Sequence, residues 1–568
     1  MSHWRIYFVF FFILIAGLGI TVRIFYIQIV KNSYYSALAR GQNVDYMEYT
    51  PPRGNIFFQD KFNKENGLFL AATNKDWPQL YAVPKEIEDP ALTASQIAAI
   101  LYESEARLEG EEKIYERIKD KDDPYEPIVH KIENKKADEI KMLELKGIYT
   151  KEENLRHYPQ GDLAAHVLGF VGYRENERVG QYGVEGFYDE ALRGGKKIVE
   201  IPFLSGGGNK FFTRGEDLIL SMDYNIQFML ERILKEAKEK LSAEGASAII
   251  IDPKNGEVLA LAAIDSFNPN NYSEVGNIDI FLNDAVQKIF EPGSIFKPFT
   301  AAAALNEGAI SPDTEYEDKG YVRVGAYTIR NANEKKYGTQ SMTGVLDLSI
   351  NTGAVFMENT IGHDKFRDYI KQFGFGERTG VDLQGEVSGD MENLLKTSRD
   401  INFATASFGQ GIAVTPIQLV AAFSAFANGG KTVKPHIAKE IVGSNGTRRP
   451  IEAEILRSPI SAKTAAQITS MLVSVVDNAY DKKAKVRGYK VAGKTGTAQV
   501  PKEDGRGYRE DKTIHSFIGF APAYDPKFLA LIKVDNPQGV DFASESVAPL
   551  FSKIAEYILN YYEIPPDS

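Results

Sequence analysis

The hydrophobic pattern begins with an uncharged apolar run near the N-terminus. Residues 6–22 carry no charge and are bounded by Arg5 and Arg23. This run of 17 residues lies at the lower end of the ~17–25 residues with which a helix crosses a bilayer. Apolar residues resume after Arg23, whose long side chain could reach the headgroups. The pattern therefore predicts an uncleaved membrane anchor over residues 6–30.

A cleaved signal peptide is the alternative interpretation of this segment. Its Ala-x-Ala cleavage site should follow the apolar run closely. The nearest such sequence is 37–39, which lies too far behind Val22. Positive charges on the two sides nearly balance, so charge alone leaves the orientation open.

The remaining sequence divides into a mixed region and a region that alternates between strand and helix patterns. Residues 31–240 include helical spacing of apolar positions, as for Ile97 and Ile100, among charged runs typical of solvent-facing helix sides. From residue 241, apolar runs at 246–251 and 258–262 flank an Asn-Gly turn and predict a β-hairpin.

Further strands and helices are predicted towards the C-terminus. Apolar runs at 516–521 and 528–534 predict two more strands. Helical patterns lie between the two strand pairs, near 295–307, 345–360, 415–428 and 461–477. Residues 241–568 are therefore predicted to form one α+β domain whose sheet takes strands from both ends of the region.

The amino-acid composition excludes several kinds of partner and active site. Sixty-six basic and 77 acidic residues give a net charge of −11, which disfavours nucleic acid as a partner. The absence of cysteine excludes a cysteine nucleophile, thiolate zinc sites and disulfides. No two of the seven histidines lie three to five residues apart, so no HExxH-like metal site is predicted. We predict no metal and no cofactor.

The first candidate motif is Ser-x-x-Lys, formed by Ser294 and Lys297 at the start of a predicted helix. Pro298 must lie in the first helical turn, because its ring would clash with the carbonyl group four residues back. Ser294 therefore lies at the N-terminal edge, where the dipole favours a developing negative charge. If Lys297 is buried and loses its proton, it could act as the general base for the Ser294 hydroxyl. Alone, this short pattern more often marks a helix-capping serine.

Two further motifs follow in chain order. Ser349-Ile350-Asn351 lies between helical stretches, although 266–268 has the same Ser-x-Asn spacing. Lys494-Thr495-Gly496-Thr497 lies in an extended stretch. On an edge strand, a lysine, two hydroxyl groups and a glycine can hold a carboxylate and let a peptide pair alongside.

A nucleotide hydrolase is an alternative interpretation of the third motif. Residues 488–495 match GxxxxGK[ST], and 248–252 could be a Walker B strand. A P-loop, however, follows a buried strand and opens a helix. The residues up to Lys490 are charged, and Gly496 and Pro501 follow, so the context disfavours this interpretation.

The order Ser-x-x-Lys, Ser-x-Asn, Lys-Thr-Gly resembles that of penicillin-binding proteins and serine β-lactamases. Arg53-Gly54-Asn55-Ile56 resembles the start of the non-catalytic domain of class B penicillin-binding proteins, although Phe57 to Phe69 is longer than the family pattern. Further segments similar to that family are 156–159, 166–169, 183–186, 405–411, 414–419 and 519–522. The ending Ile564-Pro565-Pro566 resembles the division (septal) or spore branch.

This resemblance implies an α+β architecture in a bacterial membrane protein. A cytoplasmic tail (1–5) and a single transmembrane helix (6–30) would precede an elongated non-catalytic pedestal domain (31–240). A β-lactamase-like transpeptidase domain, a sheet flanked by helices, would occupy 241–568. The resemblance also implies the orientation, with the short N-terminus inside the cytoplasmic membrane and the catalytic domain outside.

The resemblance implies a peptidoglycan D,D-transpeptidase with a serine acyl-enzyme. Ser294 would attack the penultimate D-Ala carbonyl of a stem peptide and expel the terminal D-Ala, while Lys297 takes its proton. Ser349 would relay a proton to the leaving group. Asn351 would hold the donor amide and orient Lys297.

The third motif would bind the substrate. Lys494, Thr495 and Thr497 would hold its carboxylate, and Gly496 would let it approach closely. The backbone N–H groups of Ser294 and Thr497 would form the oxyanion hole.

The resemblance also implies partners and leaves alternatives open. The partners would be peptidoglycan stem peptides as donor and amine acceptor, β-lactams, a membrane-embedded SEDS-type glycosyltransferase and other division proteins. The expected role is septal cell-wall synthesis. A D,D-carboxypeptidase is the nearest enzymatic alternative, and a β-lactamase or β-lactam sensor fits less well. A catalytically silent division scaffold is the non-enzymatic alternative.

Overall fold

The computed structural model describes residues 4–30, 51–174, 177–194, 214–396, 399–479, 482–502 and 507–567. Their helices are α1 (Trp4–Phe25), α2 (Pro90–Leu101), α3 (Arg107–Ile118), α4 (Asn134–Met142), α5 (Ala165–Leu168), α6 (Gly183–Phe187), α7 (Asp189–Arg193), α8 (Tyr224–Lys240), α9 (Asp284–Gln287), α10 (Lys297–Asn306), α11 (Met342–Asp347), α12 (Asn351–Ile361), α13 (His363–Gln372), α14 (Glu392–Leu395), α15 (Asp400–Ala406), α16 (Pro416–Ala427), α17 (Ala462–Asn478) and α18 (Ala543–Tyr561).

The strands, in chain order, are β1 (Ile56–Gln59), β2 (Leu68–Ala82), β3 (Glu126–Val129), β4 (Ile148–His157), β5 (Phe170–Arg174), β6 (Glu177–Gln181), β7 (Asp217–Asp223), β8 (Gly245–Ile251), β9 (Val258–Ile264), β10 (Glu315–Asp318), β11 (Tyr321–Val324), β12 (Tyr327–Arg330), β13 (Gly338–Ser341), β14 (Thr432–Val433), β15 (Ala438–Val442), β16 (Arg448–Pro450), β17 (Ile455–Arg457), β18 (Ala492–Pro501), β19 (Tyr508–Ala521) and β20 (Phe528–Asp535).

Helix α1 contains the apolar run that predicts the membrane anchor. Those of its apolar side chains that are described, such as Phe8 and Leu14, are exposed. Over the described residues, no helix combines the length and the apolar character needed to cross a membrane. The anchor over residues 6–30 stays a prediction.

The chain forms two compact units. Unit 1 comprises the described parts of Met1–Pro52, Asn74–His157 and Lys196–Phe212, and unit 2 comprises the described remainder. In unit 1, residues 80–82 of β2 pair with β3, and β4 also pairs with β2. Helices α2 to α4 supply a core that includes Ile97 and Ile140. The helical spacing predicted for Ile97 and Ile100 is confirmed, since both lie in α2, with Ile97 buried and Ile100 half-buried.

Unit 2 contains the predicted sheet with strands from both ends of the region. Its order is β18-β19-β20-β8-β9, and every neighbouring pair is antiparallel. Ile249 and Leu531 face one core, which also contains Phe299 of α10. Ile250 and Ile532 face the other core, built with α8 and α18. Alternate residues of each strand thus bury both faces of the sheet.

The described residues of three segments of the predicted N-terminal domain, 53–73, 158–194 and 214–240, also lie in unit 2. Strand β1 pairs in parallel with β7, and β7 pairs antiparallel with β15. Arg53 is buried and donates from Nε to Glu185 Oε2 at 2.6 Å and from Nη1 to Asp189 Oδ1 at 2.7 Å. This ion cluster joins two of the family-like segments, which are distant in sequence.

Candidate active site

Ser294 lies in a single 3₁₀ turn, Gly293–Phe296, that continues directly into α10. Pro298 occupies the first turn of α10, so the predicted position of Ser294 at the helix edge is confirmed. The Ser294 side chain is half-buried. Among the described residues, its hydroxyl group makes no hydrogen bond.

The family-like segment 405–411 packs against the turn Gly293–Phe296, called the serine turn below, and against α10. Gly293 N donates to Gly409 O at 3.0 Å, and Thr300 Oγ1 donates to Ser407 O at 2.7 Å. A Cβ atom at Gly409 would lie 2.2 Å from Gly293 O, so only glycine permits this approach. The segment therefore fixes the position of the turn rather than contributing side chains to it.

Lys297 is fully buried at the start of α10. Its Nζ donates to Ser349 O at 2.5 Å and to Asn351 Oδ1 at 2.8 Å, and lies 3.2 Å from Ser349 Oγ. Burial, together with the nearby charge of Lys494, holds the pKa of Lys297 well below its ordinary value. Lys297 is therefore poised to be a neutral amine.

A neutral lysine amine has two N–H bonds and one lone pair. Because Ser349 O and Asn351 Oδ1 can only accept, they take the two N–H bonds of Lys297. The lone pair is then left for a hydroxyl proton. This arrangement suits the amine as a general base.

Ser349 lies between the two lysines. Its Oγ is 3.2 Å from Lys297 Nζ and 3.1 Å from Lys494 Nζ. Its φ angle of +55° belongs to the left-handed region, which is uncommon for residues other than glycine and often marks functional sites. This backbone conformation directs the Ser349 carbonyl and hydroxyl to the same lysine.

Asn351 is the first residue of α12. Its Nδ2 donates to Arg330 O at 3.0 Å, while its Oδ1 accepts from Lys297. The carbonyl group of Arg330 has no proton to donate, so these two contacts fix which end of the amide faces Lys297.

Strand β18 carries the third motif and confirms the predicted edge strand. Across the described sheet, β19 is its only neighbour, with Lys494 opposite Ile518 and Thr497 opposite His515. A P-loop would require a helix after Lys494 and Thr495, whereas residues 492–501 are extended. The nucleotide-hydrolase interpretation is therefore wrong. Within the described ranges, no group of three or more His, Asp or Glu side chains could hold a metal ion.

Gly496 and Thr497 place this strand against the serine turn and α18. A Cβ atom at Gly496 would lie 2.6 Å from Ser516 Oγ and 2.9 Å from Pro292 O, so the close packing requires glycine. The Thr497 side chain is exposed, and its Oγ1 accepts from Ala543 N at 3.1 Å. The Thr497 hydroxyl proton stays available for a ligand. Thr495, also predicted to bind the substrate, is half-buried on the same strand.

Lys494 has a different electrostatic setting from Lys297. Burial lowers the pKa of Lys494 to about 8, and the Asp347 carboxylate opposes this shift. Ser474 Oγ and Asn478 Nδ2 both donate to Asp347 Oδ2, at 2.9 and 3.0 Å. The neighbouring charges of the two buried lysines thus differ: the charge of Lys494 favours a neutral Lys297, and the Asp347 carboxylate favours a charged Lys494.

The pKa of Lys494 predicts that the rate of acylation by a carboxylate-bearing β-lactam depends on pH. The charge of Lys494 is present below a pH of about 8 and is lost as the pH rises through that value. Acylation by a β-lactam with a free carboxylate should therefore slow above that pH. The matched methyl ester should not show this loss, which rate measurements between pH 6 and 10 would test. Equal alkaline limbs for acid and ester would contradict the role of Lys494 as carboxylate ligand.

Glu291 is a nearby group that belongs to none of the three sequence motifs. Its Oε1 accepts from Gly411 N at 2.9 Å and its Oε2 from Tyr508 OH at 3.0 Å. Burial raises the pKa of this carboxyl group. The available signal was its position three residues before Ser294, in Glu-Pro-Gly-Ser.

Comparison with known families gives two matches. Residues 246–556 match the penicillin-binding protein transpeptidase domain, and residues 48–210 match the penicillin-binding protein dimerisation domain. Stage V sporulation protein D of Bacillus subtilis is 38% identical over 97% of this chain and 84% of its own length. The probable peptidoglycan D,D-transpeptidase PenA of Neisseria meningitidis is 29% identical over 100% of this chain and 94% of its own length.

Solved structures resemble the chain in the same way. Penicillin-binding protein 3 of Mycobacterium tuberculosis, in its apo form, is 32% identical, with a TM-score of 0.66 over 73% of this chain and 92% of that one. Its complex with ampicillin gives the same TM-score over 73% of this chain and 91% of that one, at 31% identity.

Proposed function

Because the chain belongs to the class B penicillin-binding proteins, we propose that it is a peptidoglycan D,D-transpeptidase that β-lactams inhibit. The observation that carries this proposal is the meeting of two buried lysines at Ser349, next to the serine turn. The D,D-transpeptidase names of relatives and the ampicillin complex of a similar structure support it.

The acylation step uses the first two motifs. Ser294 Oγ bonds to the penultimate D-Ala carbonyl carbon as its proton passes to Lys297. The backbone N–H groups of Ser294 and Thr497 stabilise the oxyanion, and one such donor typically contributes about 3 kcal/mol. The C–N bond then breaks, and Ser349 relays a proton to the departing D-Ala.

The deacylation step decides between transfer and hydrolysis. The amine of a second stem peptide attacks the ester, releases Ser294 and leaves an amide crosslink. Attack by water would instead make the protein a D,D-carboxypeptidase. Lys494, Thr495 and Thr497 hold the donor carboxylate during acylation, and Gly496 keeps the strand close to Ser294.

Incubation of the protein with a stem pentapeptide and a D-amino acid acceptor tests this function. We expect mass spectrometry to show the exchanged peptide in excess over the hydrolysed tetrapeptide. Hydrolysed product alone would favour the carboxypeptidase. Release of no D-Ala would favour the catalytically silent scaffold.

The domain assignment and location belong to the same proposal. We propose a tail at 1–5, an anchor at 6–30, a pedestal domain at 31–240 and a transpeptidase domain at 241–568. The two family matches support the last two bounds. The catalytic domain lies outside the cytoplasmic membrane, because its peptidoglycan substrate is there.

The proposed cellular role is septal cell-wall synthesis together with a SEDS-type glycosyltransferase and other division proteins. Sporulation is the second candidate role. It is favoured by the 38% identity to stage V sporulation protein D over almost the whole chain.

A further inference from the structure

Asp318 is a fully buried carboxylate outside the three motifs, at the end of β10. Thr352 Oγ1 donates to its Oδ1 at 2.7 Å, and Tyr337 N donates to its Oδ2 at 2.8 Å. Gly320 N and Asn331 Nδ2 donate as well, each at 3.0 Å. Among the described residues no basic side chain pairs with this carboxylate, and hydrogen bonds satisfy it instead, an arrangement that fixes geometry.

Two of these partners directly follow residues of the candidate site. Asn331 follows Arg330, whose carbonyl accepts from Asn351, and Thr352 follows Asn351 itself. Thr352 N also donates to Asn331 Oδ1 at 3.1 Å. Asp318 thus ties the end of β12 to the start of α12.

We propose that Asp318 is a positioning residue for the reaction, which fixes the Asn351 amide with its oxygen towards Lys297. This inference rests on the proposed transpeptidase function and deepens it. Asp318 touches neither the substrate nor Lys297, and it acts through Asn331, Thr352 and Asn351.

The two ends of the Asn351 amide differ in what they offer Lys297, because Oδ1 accepts hydrogen bonds and Nδ2 donates them. While Arg330 O stays 3.0 Å from Asn351 Nδ2, the Oδ1 end must face Lys297. If the tie loosens, the amide can rotate and present N–H bonds to the Lys297 amine. These bonds would occupy the lone pair that accepts the serine proton and would oppose protonation of the amine.

The charged and titratable groups around Lys297 and Asp318 are the same in the parent and in the Asp318 variant, so a change in the pH profile reports on the Asn351 amide. Lys494 faces Lys297 from β18, and Asp347 lies near Lys494 from α11. Tyr316 OH reaches Thr352 Oγ1 at 3.1 Å, and Tyr337 contributes its backbone N–H to Asp318. None of these groups changes in the test below.

The test compares Asp318→Asn with Glu317→Gln in the full-length protein. Glu317 is the preceding, exposed residue of β10, so the chemical change is the same. For Asp318→Asn we expect the limiting rate of acylation by a fluorescent penicillin to fall by about 10- to 100-fold, with half-saturation changed by less than about threefold. The acidic limb of its pH profile should move to lower pH. Glu317→Gln should match the parent.

A second pair decides the question if Asp318→Asn does not fold. Thr352→Val removes the hydroxyl that Asp318 accepts, and Thr352→Ser keeps it. We expect slower acylation in the first variant and near-parent acylation in the second. Equal rates in this pair, or a folded Asp318→Asn with parent rate and pH limb, would overturn the proposal. A parent protein that no penicillin acylates would instead refute the proposed function.

Discussion

Ser294→Ala is expected to remain folded and to lose all covalent reaction with penicillin. The variant lacks the oxygen that forms the ester, and loss of a serine nucleophile reduces turnover by about 10⁶-fold in other serine enzymes. Retention of a fluorescent penicillin on a denaturing gel measures this directly. The folded state should be preserved, since no partner of the Ser294 hydroxyl is found among the described residues.

Ser311→Ala is the matched control for this variant. Ser311 is exposed in the loop after α10, where its Oγ lies 3.1 Å from Thr314 Oγ1. It should label like the parent, and thermal unfolding midpoints should be similar in all three proteins. Label retained by Ser294→Ala at the parent rate would mean that another residue is the nucleophile.

Lys297→Met and Lys297→Arg are both expected to slow acylation strongly, by about 10²- to 10⁴-fold. Methionine has no basic group. Arginine keeps a positive charge but stays protonated because its pKa exceeds about 12, so it cannot accept the serine proton. The Lys297→Arg variant thus shows whether Lys297 is needed as a proton acceptor or only as a positive charge. Stopped-flow acylation between pH 5 and 10 would measure both.

Lys254→Met provides the control for loss of a lysine. Lys254 is exposed and pairs with Asp525 at 2.6 Å. Its replacement should leave the acylation rate within about twofold of the parent, as for most surface changes. If Lys297→Arg acylated as fast as the parent, Lys297 would supply charge alone, and the base would have to be sought elsewhere.

The parts of the fold that the sequence predicted are those with strong local signals. The hairpin at β8 and β9 follows from two apolar runs around an Asn-Gly turn, and both strands lie within a residue or two of the predicted bounds. Pro298 fixed where α10 could begin, and this placed Ser294 at its edge. Local steric restrictions and the spacing of apolar residues were sufficient to predict the β8–β9 hairpin and the start of α10.

Other features depend on contacts between residues distant in sequence. Asp318 belongs to no motif, and its role becomes visible only when Asn331 and Thr352 fold around it. The left-handed conformation of Ser349 has no local signal, because serine seldom adopts it. Pairing of β1 with β7, which brings Arg53 into unit 2, also required the folded chain.

The order of the three motifs predicts the site residues but not the protonation states of the two lysines. The resemblance implies Lys297 as the base and Lys494 as a ligand of the substrate carboxylate, but both are lysines in short motifs, and the local sequence does not explain why their roles should differ. Both are buried, and their charged neighbours separate them: the charge of Lys494 lowers the pKa of Lys297, whereas the Asp347 carboxylate opposes the lowering of the pKa of Lys494.

Peptide mapping by mass spectrometry after incubation with penicillin would locate the acyl-enzyme. We expect one penicillin per chain, added by ring opening with no loss of mass, on the peptide that contains Ser294. An adduct on any other residue, or a folded protein that stays unmodified at saturating penicillin, would contradict an acyl-enzyme at Ser294.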